Sequence, residues 1–351
     1  MLQKSTVAAI LQNSNAELIL DEISLPEQLF HGQVLVELIS SGICGAQINE
    51  IDAVKGPDRF LPHLLGHEGY AKVLEIGGGV STVASGDYVV MHWRPGSGIE
   101  AKPAKYEWRG KDLNSGWVTT FNRHSVVSEN RITKIEPGIL QKEIIPLMGC
   151  ALTTALGVLE KEAKANFRDF LLILGAGGVG LTLVKVAKFL GVCNIVIVDT
   201  DKSKIIKAKE IGANNGVVFQ NKEQVLAELK QLYPYSLPSI AIDTSGQPSA
   251  IEICYEASTA NARVVLVGVP KLGSNVNIYT LPLHFGKSIM GSKGGGSNPD
   301  VDIPILIDLI LTKKLDFSDF PTSTYGFNDI NQAIRDLRRG LVGRVIVDFD
   351  K

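Results

Sequence analysis

The chain has 351 residues, of which 45% are hydrophobic and 21% charged, and its formal net charge is -2. That length exceeds what one hydrophobic core normally serves, so two domains are expected. The near-neutral balance excludes a global positive field of the kind that recruits nucleic acid or an anionic membrane surface, and a small-molecule partner fits better.

The longest apolar runs, Leu171 to Leu174 and Ile303 to Leu311, are far shorter than a bilayer span, and the second is broken by Pro304 and Asp308. No membrane partner is expected. The amino-terminal run Met1 to Ser5 lacks the apolar stretch and small-residue cleavage site of an export signal, which points to a cytoplasmic protein. Four cysteines, at positions 44, 150, 193 and 254, are too scattered for a disulfide framework and are candidates for metal ligation or for burial. No internal period or low-complexity tract is visible.

In chain order, the first 135 residues read as short β-branched runs punctuated by glycine and proline: Val34 to Leu38, Gly69 to Ile76, Tyr88 to Met91 and Ser125 to Val127. This texture predicts a compact, β-rich domain over residues 1–151. From Pro137 to Glu162 the apolar spacing turns helical and marks the connection between domains. Strands then alternate with helices over residues 152–291: Phe170 to Leu174, Ile195 to Val198, Gly216 to Phe219, Ile240 to Ile242 and Val264 to Val267. Such alternation predicts an α/β domain with a doubly wound parallel sheet covered on both faces. Residues 292–351 carry helical patterns at Ile303 to Thr312 and Asn328 to Arg339 and a last strand at Arg344 to Phe349, and are expected to return to the first domain.

The run Gly175-Ala176-Gly177-Gly178-Val179-Gly180 follows one predicted strand and opens a helix, and Asp199 ends the next strand about 20 residues on. Glycines there provide the tight turn, the approach of backbone to a pyrophosphate and close helix–strand packing, while the helix amino terminus attracts negative charge. An acid at Asp199 would accept hydrogen bonds from ribose hydroxyls and repel a 2′-phosphate, favouring NAD over NADP. Lys204, on the following helix, is either within reach of that ribose or solvated.

Cys44, His67 and Cys150 have the donor chemistry of a catalytic zinc site with three protein ligands and an open fourth position. Spacing alone does not unite them, and each cysteine read singly is better explained by burial.

The run Gly66-His67-Glu68-Gly69, with Gly77-Gly78-Gly79-Val80 and Gly86-Asp87-Tyr88-Val89-Val90, resembles the signature of the medium-chain zinc-dependent alcohol dehydrogenase family. The likeness extends through Thr120-Phe121, Gly149-Cys150, Gly175 to Gly180, Ala208 to Ala213 and Gly268-Val269-Pro270. It implies a GroES-like catalytic domain joined to a Rossmann coenzyme domain, with one catalytic Zn2+ held by Cys44, His67 and Cys150 and with Glu68 beside it. It also implies that Gly268, Val269 and Lys204 help hold NAD, that Arg344 approaches the pyrophosphate, and that Ala46 and Trp93 line the substrate pocket. Read without the family, Arg344 would pass for a surface charge. The implied reaction is hydride transfer between an alcohol or polyol and NAD, the metal lowering the pKa of the substrate hydroxyl, and relatives suggest a homodimer or homotetramer.

Three departures from that pattern stand out. Ala46 and Asn49 occupy positions where many relatives carry a proton relay, leaving water or another group such as His92 to serve. Gln47 replaces an acid common in relatives. No four-cysteine cluster lies between Trp93 and Trp117, so a structural zinc is not expected. That stretch instead mixes Trp93, Tyr106 and Trp108 with Arg94, Lys102, Lys105, Arg109 and Lys111. It reads either as a solvated loop or as a grip for a sugar or sugar phosphate, the basis of an alternative assignment as a reductase in carbohydrate biosynthesis. A non-catalytic NAD-binding protein is the other alternative, and the retention of all three ligand-type residues weighs against it. The run Gly294 to Ser297 reads as an anion nest or as a plain turn.

Overall fold

The computed structural model describes residues 4–351; Met1 to Gln3, part of the run read for an export signal, lie outside the described residues. The chain forms two compact units. One holds the chain up to Thr153, Asn298–Leu311 and Thr322–Lys351; the other holds Thr154–Ser297 and Thr312–Pro321. No helix among the described residues is long and apolar enough to cross a membrane.

The first unit is built on two sheets. In the larger, the order is Ile132–Ile135, Tyr88–His92, Glu68–Ile76, Gln33–Ile43, Arg344–Asp348, Thr322–Gly326, and His124–Ser128 also pairs with Gln33–Ile43. Val34, Val36, Leu38, Ala71, Val73, Val89, Met91, Val345 and Val347 meet in one buried cluster, so the β-branched runs read from the sequence turn their apolar side chains into a common core. The last strand, Arg344–Asp348, pairs antiparallel with the carboxyl-terminal half of Gln33–Ile43, which returns the end of the chain to the first sheet.

The smaller sheet runs in the order His63–Leu64, Ser5–Leu11, Ile19–Ser24, Tyr106–Trp108, Lys111–Leu113. It accounts for the aromatic and basic stretch after Trp93. Tyr106–Trp108 and Lys111–Leu113 form a hairpin whose two connecting residues, Arg109 and Gly110, have φ of 52° and 73°, the mirror-image turn that matches strand twist. Tyr106 and Trp108 are core residues. The Tyr106 hydroxyl accepts the Val126 amide at 2.8 Å, and the Trp108 indole donates to Asp21 at 2.8 Å. Arg109 binds the same carboxylate, and its guanidinium lies over the Trp108 ring. These aromatics are neither a solvated loop nor a sugar platform, because their polar tips are spent within the sheet.

In the second unit six parallel strands lie in the order Asn215–Val218, Asn194–Asp199, Phe170–Leu174, Ile240–Asp243, Arg263–Leu266, Ser288–Gly291. The central strand Phe170–Leu174 is apolar at every position and buried throughout, as a sheet covered on both faces requires. Helices Gly178–Phe189, Lys202–Ile211, Lys222–Leu232 and Pro248–Glu256 alternate with the strands. Asp201 and Asn221 cap two of them by accepting the amides of Ser203 and Gln224. Chain order reverses between Phe170–Leu174 and Ile240–Asp243, and that is where a doubly wound sheet leaves a crevice for a nucleotide. The excursion Thr312–Pro321 is fastened to this unit by the Lys185–Asp319 ion pair.

Gly294–Gly296 is a short turn that has a packing explanation. A Cβ on Gly295 would lie 2.5 Å from both the Thr154 carbonyl oxygen and the Val158 amide nitrogen. The glycines let this backbone lie against the helical segment, and no anion site is needed to explain them.

Candidate active site

Cys44 sits where the strand Gln33–Ile43 ends and the helix Gly45–Ile51 begins. The antiparallel ladder with Glu68–Ile76 brings Ser41 opposite Gly69, so His67, just before that strand, comes beside Cys44. Cys150 arrives from a distant part of the chain, directly after the turn Ile145–Gly149. Gly149 makes that approach possible, because a Cβ there would be 2.2 Å from the Met91 carbonyl oxygen of the strand below. One ligand atom from each of Cys44, His67 and Cys150 then lies within 4.8 Å of the others.

The chemistry of the three groups suits a cation. Both cysteines are buried. Hydrogen bonding from the Cys150 thiol, helped by His67 and Arg344, holds the Cys44 thiol well below the usual thiol range even though burial opposes this. The His67 Nε2 is buried and has no hydrogen-bond partner, a costly state for a ring nitrogen unless something else satisfies it. Cys254 shows the contrast: it is equally buried, but desolvation, with Asp243 nearby, pushes its thiol well above the ordinary value, as expected of a packing residue. Two thiols and one imidazole with an unsatisfied nitrogen fit a zinc ion, and three protein ligands leave a fourth position open.

Behind the cluster, Glu68 is fully buried and its carboxylate meets the Arg344 guanidinium. Arg344 is 2% exposed, so the surface reading of this residue is corrected. Isolated charges at this depth would be very unfavourable, and each is present because the other neutralises it. Gln47 is buried too, accepting the Cys44 amide at 2.9 Å through Oε1 and setting its Nε2 against His67 Nδ1. Sequence reasoning marked Gln47 only as a lost negative charge; its place one helical turn after Cys44 was the available signal for this contact.

Ala46 is exposed on the first turn of its helix, Asn49 is half-buried, and Trp93 is half-buried with the Arg94 guanidinium 5.8 Å from its ring centre. His92 does not fill the gap left by the missing relay. Its Nδ1 donates to the Arg94 carbonyl at 2.7 Å, its Nε2 lies 3.0 Å from the Thr133 hydroxyl, and burial pulls its pKa down to about 4. Both ring nitrogens are committed to packing.

The glycine loop lies in the second unit. Gly175 has φ of 100°, and a Cβ on Gly180 would stand 1.9 Å from the Gly175 carbonyl oxygen, so the turn and the helix can close on each other only without side chains. Gly177 caps the helix Gly178–Phe189 without a side-chain cap bond, and the first-turn amides of a helix have no partner within it. Gly178 and Val179 form that first turn. Asp199 is half-buried at the end of its strand. One of its oxygens accepts the Ala176 amide at 2.6 Å and the other accepts the Asp201 amide at 2.9 Å. Lys204 is half-buried on the next helix, and Gly268 and Val269 follow the strand Arg263–Leu266, with Val269 exposed. One contributor went unread in the sequence: Thr244, whose hydroxyl reaches the carbonyls of Leu174 and Gly175 at 3.0 Å and ties the strand end to the loop.

Comparison with known proteins agrees with this architecture. Residues 31–137 match the alcohol dehydrogenase GroES-like domain, and residues 178–312 match the zinc-binding dehydrogenase domain. The chain is 27% identical to alcohol dehydrogenase 6 of Peromyscus maniculatus over 97% of its own length and 96% of that protein. Among solved structures, benzyl alcohol dehydrogenase from Acinetobacter calcoaceticus superposes with a TM-score of 0.86 at 24% identity, covering 99% of each chain. A short chain alcohol dehydrogenase from E. coli CFT073, complexed with NADH, gives 0.81 at 21% identity, covering 99% of this chain and 100% of that one.

Proposed function

Because this chain belongs to the zinc-dependent medium-chain dehydrogenase family and is an oxidoreductase of alcohol dehydrogenase type, we propose that it transfers hydride between NAD(H) and an alcohol or polyol, or the matching carbonyl compound. The observation that carries this reading is the convergence of Cys44, His67 and Cys150 within 4.8 Å around a buried, unsatisfied imidazole nitrogen. These three residues would hold a single zinc ion. When bound, such an ion polarises an alcohol or carbonyl oxygen and lowers the pKa of a hydroxyl, as metals do for water.

The remaining roles belong to the chain itself. Cys44 and Cys150 supply negative charge to the site, and the Glu68–Arg344 pair adds a neutralised dipole behind it that tunes the field without removing a proton. Ala46 and Trp93 are the proposed pocket walls. Ala46 has no proton to pass and the Asn49 amide does not titrate, so the substrate proton leaves through water. In the second unit the free amides of the helix at Gly177 take the pyrophosphate, Asp199 takes the adenosine ribose with help from Lys204, and Gly268 and Val269 border the nucleotide. Arg344, which the family likeness assigns to the pyrophosphate, is engaged with Glu68, and its Nε is without a partner. Neither alternative gains support: Tyr106, Trp108 and Arg109 of the stretch that suggested a sugar grip are spent on a hairpin, and an idle scaffold has no use for an intact three-ligand cluster.

The test is zinc content together with a panel of alcohols, polyols and sugar derivatives assayed with NAD before and after chelation. About one zinc per chain and turnover that chelation abolishes and zinc restores are expected. A protein that binds NADH but turns over none of the panel would refute the enzymatic reading.

For quaternary structure, a homodimer or homotetramer is proposed. Ser288–Gly291 is one of the two edges of the parallel sheet, and Leu272, Tyr279, Phe285 and Met290 are exposed on the chain leading to and along it. An open edge flanked by apolar side chains is suited to self-pairing about a two-fold axis. Light scattering on the native chain is expected to give a dimer or tetramer, and Phe285→Asp with Met290→Lys is expected to give monomer. A native monomer would end the proposal.

A further inference from the structure

Gln47 has one amide and two neighbours that, in the loaded site, both need an acceptor. The Cys44 backbone N–H can only donate, and it donates to Gln47 Oε1 at 2.9 Å. That bond fixes the amide and turns its NH2 toward His67 Nδ1. An NH2 group can also only donate, so Nδ1 must accept, and in a neutral ring the proton then sits on Nε2. Nε2 is the buried, unpartnered nitrogen of a ring that lies with one nitrogen within 4.8 Å of the Cys44 and Cys150 ligand atoms.

A cation ligated through Nε2 needs the lone pair there, which moves the ring proton to Nδ1 and sets it against the Gln47 NH2. Turning the amide over relieves that clash but confronts the Cys44 N–H with the NH2. Neither orientation offers an oxygen to each donor. The group is 1% exposed, so water does not repair the mismatch.

We propose that Gln47 is a positioning residue that holds His67 in the tautomer opposed to metal ligation and so weakens the zinc site, making the ion more exchangeable than a carboxylate at this position would. The inference rests on the proposed zinc site and concerns its affinity. Gln47→Glu keeps the shape and provides two oxygens, one for the Cys44 N–H and one for a His67 Nδ1–H.

The experiment compares zinc affinity of native protein and Gln47→Glu by competition with a chromophoric chelator, and reads the His67 tautomer from 15N shifts of the native protein with and without zinc. We expect the zinc Kd of Gln47→Glu to fall at least about ten-fold, the scale on which groups hydrogen-bonded to metal ligands act. The native ring is expected to carry its proton on Nε2 without metal and on Nδ1 with it. A Kd within two-fold of native, or a native ring already protonated on Nδ1 without metal, overturns the proposal. If Gln47→Glu does not fold, the tautomer measurement decides alone. Failure of the native protein to bind zinc at all would instead refute the metal site.

Discussion

Cys150→Ala is expected to reduce zinc content to background and turnover by at least about 10³-fold, the loss that follows when several kcal/mol of transition-state charge stabilisation disappear. NADH affinity should stay within about two-fold of native, because the glycine loop and Asp199 lie in the other compact unit. The fold should survive, since the change removes one sulfur from a small buried side chain, a cost of about 1 kcal/mol. Zinc analysis, a fluorescence titration with NADH and a thermal melt separate these effects. Parallel loss of turnover and NADH binding, with zinc retained, would make Cys150 a packing residue of the same kind as Cys254.

Asp199→Asn is expected to invert or erase coenzyme preference. The substitution keeps an oxygen for the Ala176 amide, which Asp199 accepts at 2.6 Å, and removes the charge together with the acceptor now used by the Asp201 amide at 2.9 Å. A carboxylate hydrogen-bonded to ribose hydroxyls contributes about 1.5–3 kcal/mol, so NADH Kd should rise roughly 10- to 100-fold. NADPH, relieved of repulsion between carboxylate and 2′-phosphate, should bind better than to the native protein. Titrating both coenzymes with both proteins gives the four values. Equal weakening toward NADH and NADPH would show that Asp199 serves only to brace the loop.

The two sites differed in how far sequence reasoning could reach. The nucleotide site is local: strand, glycine turn, helix and second strand follow one another within residues 170–199, and each step has its own signature, from buried Phe170–Leu174 to the glycines whose Cβ atoms would collide. The metal cluster is assembled from residues 44, 67 and 150, which only the family resemblance linked in advance. Tyr106 and Trp108 misled for a related reason. Their composition suits a binding surface as well as a core, and only the Arg109-Gly110 turn and the Asp21 carboxylate send them inward. His92 offered itself as a relay in sequence and proved to be spent on Arg94 and Thr133.

By itself the order of residues determined the alternation of strand and helix, the apolar faces, and the glycine turn before its helix, since these depend on neighbours a few positions away. Tertiary structure decided that the Cys44 thiol is held below the usual range, that Arg344 is buried against Glu68, and which way the Gln47 amide faces. Those outcomes depend on desolvation and on charges and donors brought from distant segments, and such fields exist only once the chain has closed on itself.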